Sequence, residues 1–170
     1  EQYYTFKELK DKISKNQTDK DGKLIILYAS NKEDQHSYIE TAKSKGYEVI
    51  LLDSPIVSHL IQKLETSEEN ISFTRVDADV IDKLVKKDKS EVSKLSEKEK
   101  EKVKSIIEEC VGKEKYTVQL EAMDSLSPPF VITFPEFMRR MKEMQQTGGN
   151  NMFGSMPEIY NLIININNPI

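Results

Sequence analysis

The first half of the chain alternates between short apolar runs and stretches with apolar residues at helical spacing. Residues 24–28 and 49–52 are continuous apolar runs with polar neighbours, which is the pattern of buried strands. Residues 31–45 predict a helix between them that ends at Gly46. A strand, a helix and a strand of these lengths form a βαβ unit, in which we expect the two strands to be parallel.

Further elements flank this unit. Thr5 and Glu8 fit a capping box at the start of a helix, and another helix follows Pro55. Residues 71–76 alternate between apolar and polar side chains, as an edge strand does. Together these elements predict a layered α/β/α module that contains the βαβ unit.

The second half predicts an exposed helix and then three strands. Ser96 and Glu99 fit a second capping box, so a long helix is expected from Ser96 to a stop at Gly112. The strands are predicted at residues 116–120, 130–133 and 160–166. This half is expected to be a small mixed α+β module, in which about three strands are backed by the helix.

Composition divides the chain into three stretches. Residues 1–79 form the α/β module, residues 113–170 form the α+β module, and the Lys-, Glu- and Ser-rich residues 80–112 are expected to be connecting helices. The last apolar run, residues 162–166, has no following element to cover it. Because an exposed terminal strand promotes aggregation, we expect the natural chain to continue.

Charge and hydropathy narrow the class of partner. The net charge is −4, so the chain has no basic surplus for a phosphate backbone and nucleic acid is not an expected partner. No apolar run approaches the roughly 18 residues that a membrane helix needs. The first residues do not resemble a signal peptide, and we expect a cytoplasmic protein with no membrane partner.

The residue types that carry chemistry form no recognisable catalytic or metal site. Two histidines lack a neighbouring ligand and are expected on helix surfaces, namely His36 and His59. Three aspartates lack the glycine and glutamate of an EF-hand and are expected to cap helices, namely Asp77, Asp79 and Asp82. Cys110 is the only cysteine and is expected to pack on the apolar stripe of its helix.

The βαβ unit leaves one enzymatic alternative open. Open parallel sheets bind ligands beyond the carboxyl ends of their strands, here near Ser30 and Asp53. The loop at residues 29–32 has no glycine to let a phosphate approach the backbone. A structural layer is therefore favoured, and a small-ligand or nucleotide-binding α/β enzyme is the alternative.

Residues 134–146 predict an amphipathic helix with well-marked ends. Thr133 and Glu136 fit a third capping box, Pro135 stands in the first turn, and the glycine pair that starts at Gly148 ends the helix. At the helical repeat, five apolar side chains fall within an arc of about 120°, namely Phe134, Phe137, Met138, Met141 and Met144. Arg139 falls outside that arc.

Methionine makes this apolar face a candidate binding surface. Its unbranched, polarizable side chain adapts to irregular partners, and it is frequent on promiscuous surfaces. A glycine-rich segment just beyond the helix adds further apolar side chains, among them Met152 and Phe153. The pattern alone leaves open that the face packs into the core.

Several short segments, taken in order, resemble the ninety-kilodalton heat-shock chaperones and in particular their bacterial form. The matching segments are residues 4–8, 16–17, 27–29, 45–51, 53–56, 137–142 and 164–169. They are similar to the end of that family's middle domain and the start of its C-terminal domain. The residues after the final proline lack the family's usual acidic residue and histidine.

The resemblance implies a dimeric, ATP-driven chaperone of the stress response that binds unfolded or partly folded client proteins. It implies an ATP and magnesium site upstream of Glu1 and dimerisation helices downstream of Ile170. This stretch would then carry no cofactor and would not itself be an enzyme. Met138 matches the leading methionine of the family's exposed client-holding helix, with Met141 and Met144 as neighbours.

Overall fold

A computed structural model of the chain describes residues 2–85, 91–112, 114–148 and 158–169, with the backbone alone for residues 143–148. The chain divides into two compact units, Glu1–Asp88 and Lys89–Ile170. The elements of the first unit are α1 (Phe6–Gln17), β1 (Leu24–Ala29), α2 (His36–Ser44), β2 (Val49–Leu51), α3 (Val57–Ser67), β3 (Ile71–Arg75) and α4 (Ile81–Leu84).

The first unit is the predicted α/β/α layer. Strand β1 lies between β2 and β3 and is parallel to both, which confirms the βαβ unit. Helices α2 and α4 pack on the face of β1 that carries Ile25 and Leu27. Helices α1 and α3 pack on the face that carries Ile26 and Tyr28. Since both faces of β1 are covered, its side chains are almost all apolar, as in other parallel sheets.

Two boundaries in this unit differ from the prediction. Helix α2 begins at His36 rather than at residue 31, because the Asn31 side chain accepts hydrogen bonds from the backbone of Glu33 (2.9 Å) and Asp34 (3.2 Å) and holds a turn there. Strand β2 was expected to be buried, yet it is a three-residue edge strand whose Leu51 is 47% exposed.

None of the three aspartates after β3 is the predicted N-cap of α4. Asp77 binds the Arg75 guanidinium with two hydrogen bonds of 2.6 and 3.0 Å. Asp82 pairs with Lys45. Helix α4 has Val80 at its N-cap, with no side-chain cap, and Asp79 accepts a 2.7 Å hydrogen bond from the Val80 backbone. The capping prediction is wrong because Asp77 and Asp79 precede the N-cap and Asp82 lies within the helix.

The second unit is the predicted mixed module. Its elements are α5 (Glu97–Cys110), β4 (Tyr116–Glu121), β5 (Phe130–Thr133), α6 (Glu136–Gly148) and β6 (Tyr160–Asn165). Strand β6 is central, parallel to β4 and antiparallel to β5. Ile107 and Val111 at the end of α5 pack against buried side chains of β4 and β6, so the helix backs the sheet as expected.

The capping boxes predicted at Thr5 and Ser96 are both formed, and each marks the start of its helix. Thr5 and Ser96 each accept a hydrogen bond from the backbone N–H three residues on, and the glutamate there accepts one from the backbone of the cap residue at 2.8 Å.

Cys110 was predicted to pack on the apolar stripe of α5, but it is exposed. It lies about 100° around α5 from Val111, which takes the place against the sheet.

Candidate functional site

Helix α6 follows β5 after only two residues. The Arg139 backbone N–H donates to the Pro135 carbonyl at 3.1 Å, which starts the helix at Glu136, and the helix ends at Gly148. The half-buried Phe134 ring packs against the Tyr160 ring of β6, with 5.2 Å between centroids. The start of α6 is thereby fixed to the sheet.

The third predicted capping box is not formed. Thr133 is the last residue of β5 and pairs with Asn161 of β6. Its Oγ1 is buried and has no hydrogen-bond partner in the part of the chain that the structure describes, so it does not cap the helix. The Glu136 carboxylate binds arginine side chains instead. The spacing of threonine and glutamate is right for a cap, but the strand extends through the threonine.

Exposure along the described side chains of α6 does not follow its apolar arc. Phe137 is 70% exposed, whereas Arg139 is only 4% exposed. These two residues lie about 200° apart around a helix. The other described members of the arc are half-buried, namely Phe134, Met138 and Met141. The helix therefore exposes one large apolar side chain and buries one charged side chain.

A cluster of three charged side chains lies at the start of α6. The Glu136 carboxylate accepts from Arg139 Nε at 3.2 Å, from the Arg139 terminal nitrogen, and from Arg140 Nε at 2.8 Å. Burial raises the pKa of Glu136, but the hydrogen bonds and charges of Arg139 and Arg140 outweigh this effect and hold its pKa below the usual value. The carboxylate is ionised at neutral pH.

The structure places some of the predicted binding residues and not others. Met138 and Met141 are half-buried on the flanks of the outward face. The side chain of Met144 lies outside the described residues, and so do Met152 and Phe153.

The cluster formed by Glu136, Arg139 and Arg140 was not predicted from the sequence. The spacing of Glu136, Arg139 and Arg140 does predict ion pairs along a helix, but it carries no information on their burial.

The carboxyl edge of the first unit's sheet is arranged differently from a phosphate-binding loop. The backbone N–H groups of Ser30 and Asn31, which such a loop would present to a phosphate, donate to Gln35 Oε1 at 2.8 and 3.0 Å. Asp53 is exposed. This observation counts against the nucleotide-binding alternative.

The described residues carry neither a metal cluster nor a helix that could span a membrane. His36 and His59 lie exposed on their helices, as expected. Among the described residues, no group of three or more His, Cys, Asp or Glu side chains is arranged to hold a metal ion. None of the described helices combines the length and the apolar character that crossing a membrane requires.

Comparisons with known proteins identify relatives across almost the whole chain. Chaperone protein HtpG of Bacteroides thetaiotaomicron is 41% identical over 167 residues, which are 96% of this chain and 24% of that protein. Chaperone protein htpG of Bacteroides fragilis strain YCH46 matches to the same extent. Chaperone protein HtpG of Porphyromonas gingivalis is 36% identical over 171 residues, which are 98% of this chain and 25% of that protein. No family model matches the chain.

These relatives are all named as chaperones. The chain belongs to the HtpG family, which confirms the resemblance found in its sequence segments. It spans about a quarter of the length of the curated relatives that it matches.

Proposed function

We propose that this chain is a non-catalytic segment of an HtpG chaperone that holds unfolded or partly folded client proteins through the outward face of α6. The single observation that carries the proposal is the exposure of a large apolar side chain on a helix that buries a charged one, with Phe137 70% exposed and Arg139 4% exposed. A helix that only stabilised the fold would bury its apolar face.

The chemistry of this face suits weak and reversible binding. Full burial of one exposed Phe or Met side chain contributes about 1.5–3 kcal/mol. Phe137, Met138 and Met141 together therefore supply at most roughly 5–9 kcal/mol, because both methionines are already half-buried. Association itself costs about 4–15 kcal/mol. The two ranges overlap, so clients bound here alone would exchange readily. Phe134, Met144, Met152 and Phe153 are further members of the proposed surface, and Phe134 contributes least because it packs on Tyr160.

The remaining parts of the proposal concern the whole protein. We infer a cytoplasmic homodimer that uses ATP and magnesium at a site outside this chain. Dimerisation would be through helices that are also outside it. Support comes from relatives that are named as chaperones and are about four times as long as the matched region.

Suppression of aggregation tests the proposal. In one variant, Phe137, Met138 and Met141 are each replaced by serine. In the matched control, three exposed apolar residues of the same unit are replaced by serine, namely Val92, Ile106 and Leu126, which are 80%, 51% and 93% exposed. We expect the helix variant to need at least about tenfold more protein to suppress aggregation of a chemically unfolded client, because the loss of a single fully buried apolar contact already corresponds to about that factor. The control should match the parent chain.

Equal suppression by the helix variant and the parent would refute a client-holding role for α6. Equal loss in the control and helix variants would show that general surface hydrophobicity holds the client. Circular dichroism of all three proteins establishes that they are equally folded.

A further inference from the structure

The sheet of the first unit ends in two edge strands in the part of the chain that the structure describes. Strand β2 lies at one edge and β3 at the other. An edge strand presents backbone N–H and C=O groups with which another strand can pair, and a short edge strand presents few of them. Strand β2 has three residues, whereas β3 has five. The β3 edge therefore offers the larger surface for the addition of a strand.

The backbone N–H of Phe73 points away from the sheet at the middle of β3. The Val76 N–H donates to the Tyr28 carbonyl next to β3 at 2.9 Å, so it points into the sheet. Backbone N–H groups of successive residues in a strand point to alternate sides. The Phe73 N–H, three residues earlier, therefore lies on the outer edge, where an added strand would bind.

The Glu65 side chain of α3 binds this outer N–H group. Its Oε1 accepts from the Phe73 N–H at 2.8 Å and lies 3.5 Å from Ser72 Oγ. A hydrogen bond to an ionised carboxylate is roughly twice as strong as one to a neutral carbonyl. An incoming strand pairs through its backbone carbonyls, so it would have to displace a stronger acceptor.

The position of Glu65 within α3 also points to a role at β3. Helix α3 ends at Ser67, so Glu65 stands in its last turn. A negative charge there is unfavourable, because the C-terminal end of a helix carries a partial negative charge of its own. The helix alone does not favour glutamate at this position, whereas the hydrogen bond to Phe73 does.

We propose that Glu65 closes the β3 edge, so that β3 does not pair with the β3 strand of a second copy of this chain. A two-fold axis would place the two strands antiparallel, with the same outward groups facing each other. In such a pair the two Phe73 residues can exchange both of their backbone hydrogen bonds. The inference concerns the first unit and does not rest on the proposed function.

Sedimentation velocity and amide hydrogen exchange of the purified chain test this proposal. We expect Glu65→Ala to associate at concentrations at least about tenfold lower than the parent, because a charge-assisted hydrogen bond no longer competes. In dilute solution the Phe73 amide of this variant should exchange at least about tenfold faster than that of the parent. As the concentration rises, the same amide should regain protection, since it then pairs with the other copy.

Two further variants separate this hydrogen bond from other effects. Glu69→Ala removes the same charge from an exposed site just before β3, and it should match the parent. Glu65→Gln keeps an acceptor oxygen without the charge, so it should show a smaller change of the same sign. Circular dichroism detects a folding defect, and if the alanine variant at Glu65 has one, the glutamine variant decides.

Association of Glu65→Ala that is no stronger than that of the parent would overturn the proposal. Equal association of the alanine variants at Glu65 and Glu69 would also overturn it, because the loss of a charge would then explain the effect. Association without renewed protection of the Phe73 amide would have the same consequence, because the contact between copies would lie elsewhere. None of these results bears on client holding by α6.

Discussion

Asn167 is 6% exposed and joins three segments of the second unit. Its Nδ2 donates to the carbonyls of Val92 (3.1 Å) and Met123 (3.2 Å), and its Oδ1 accepts from the Lys94 backbone (3.2 Å). Asn165 acts in the same way, since it accepts from the Met123 backbone at 3.2 Å. Asn167, which follows β6, thereby ties the segment before α5 to the end of the sheet, and Asn165, the last residue of β6, holds the segment after β4.

Replacement of Asn167 by alanine should destabilise the second unit. The change leaves the buried Met123 carbonyl, the Val92 carbonyl and one backbone N–H without this partner, so we expect a loss of about 1–3 kcal/mol in the free energy of unfolding. Chemical denaturation of the parent and the variant measures it. Asn168→Ala is the comparison, because Asn168 also bonds two carbonyls but is only half-buried. Equal losses in the free energy of unfolding for the two variants would contradict the claim that the burial of Asn167 sets the size of its effect.

At the scale of elements, α6 shows how much of the site can be predicted from sequence. Its length, its end at Gly148 and its apolar arc were all predicted, because they depend on local spacing. Its rotation was not, because rotation depends on which side meets the sheet. The pattern of charges places Glu136 and Arg139 one turn apart, yet the same spacing occurs on fully exposed helices.

The errors in the fold prediction have a similar cause. The pairing of Thr133 and Glu136 matches a capping box as well as Thr5 and Glu8 do, but Thr133 is held in β5 by pairing with β6. That pairing joins residues about 30 positions apart, and a local motif does not report it. The strands and the parallel βαβ unit were predicted because short continuous apolar runs with polar neighbours indicate buried strands.

The free energy of unfolding should depend on the protonation of Glu136, and therefore on pH. The pKa of Glu136 is held below its usual value of 4.5 in the folded chain. Its contribution to the free energy of unfolding is therefore fully present above pH 4.5 and is lost as the pH falls through the lowered pKa. We expect parent and Glu136→Gln to differ most in stability above pH 4.5 and to converge in more acidic solution. The measurement is urea unfolding of both chains across this range. A difference that stays constant with pH would contradict an ionised Glu136 in the folded state.

At the scale of the whole molecule, the two units have different characters. The first is a layered α/β unit in which both faces of β1 are covered. The second is a small mixed sheet that carries α6 with Phe137 exposed. Under the proposed function, this second unit presents the surface that holds client proteins.

The most direct test of this account is methyl NMR of the six methionines during titration with a permanently unfolded polypeptide. Met138 and Met141 lie on the flanks of the proposed surface, and Met123 is 5% exposed in the same unit and serves as the internal control. The account predicts that the Met138 and Met141 signals shift or broaden as the polypeptide is added while the Met123 signal stays in place. Unchanged Met138 and Met141 signals, or equal changes at Met123, would contradict it.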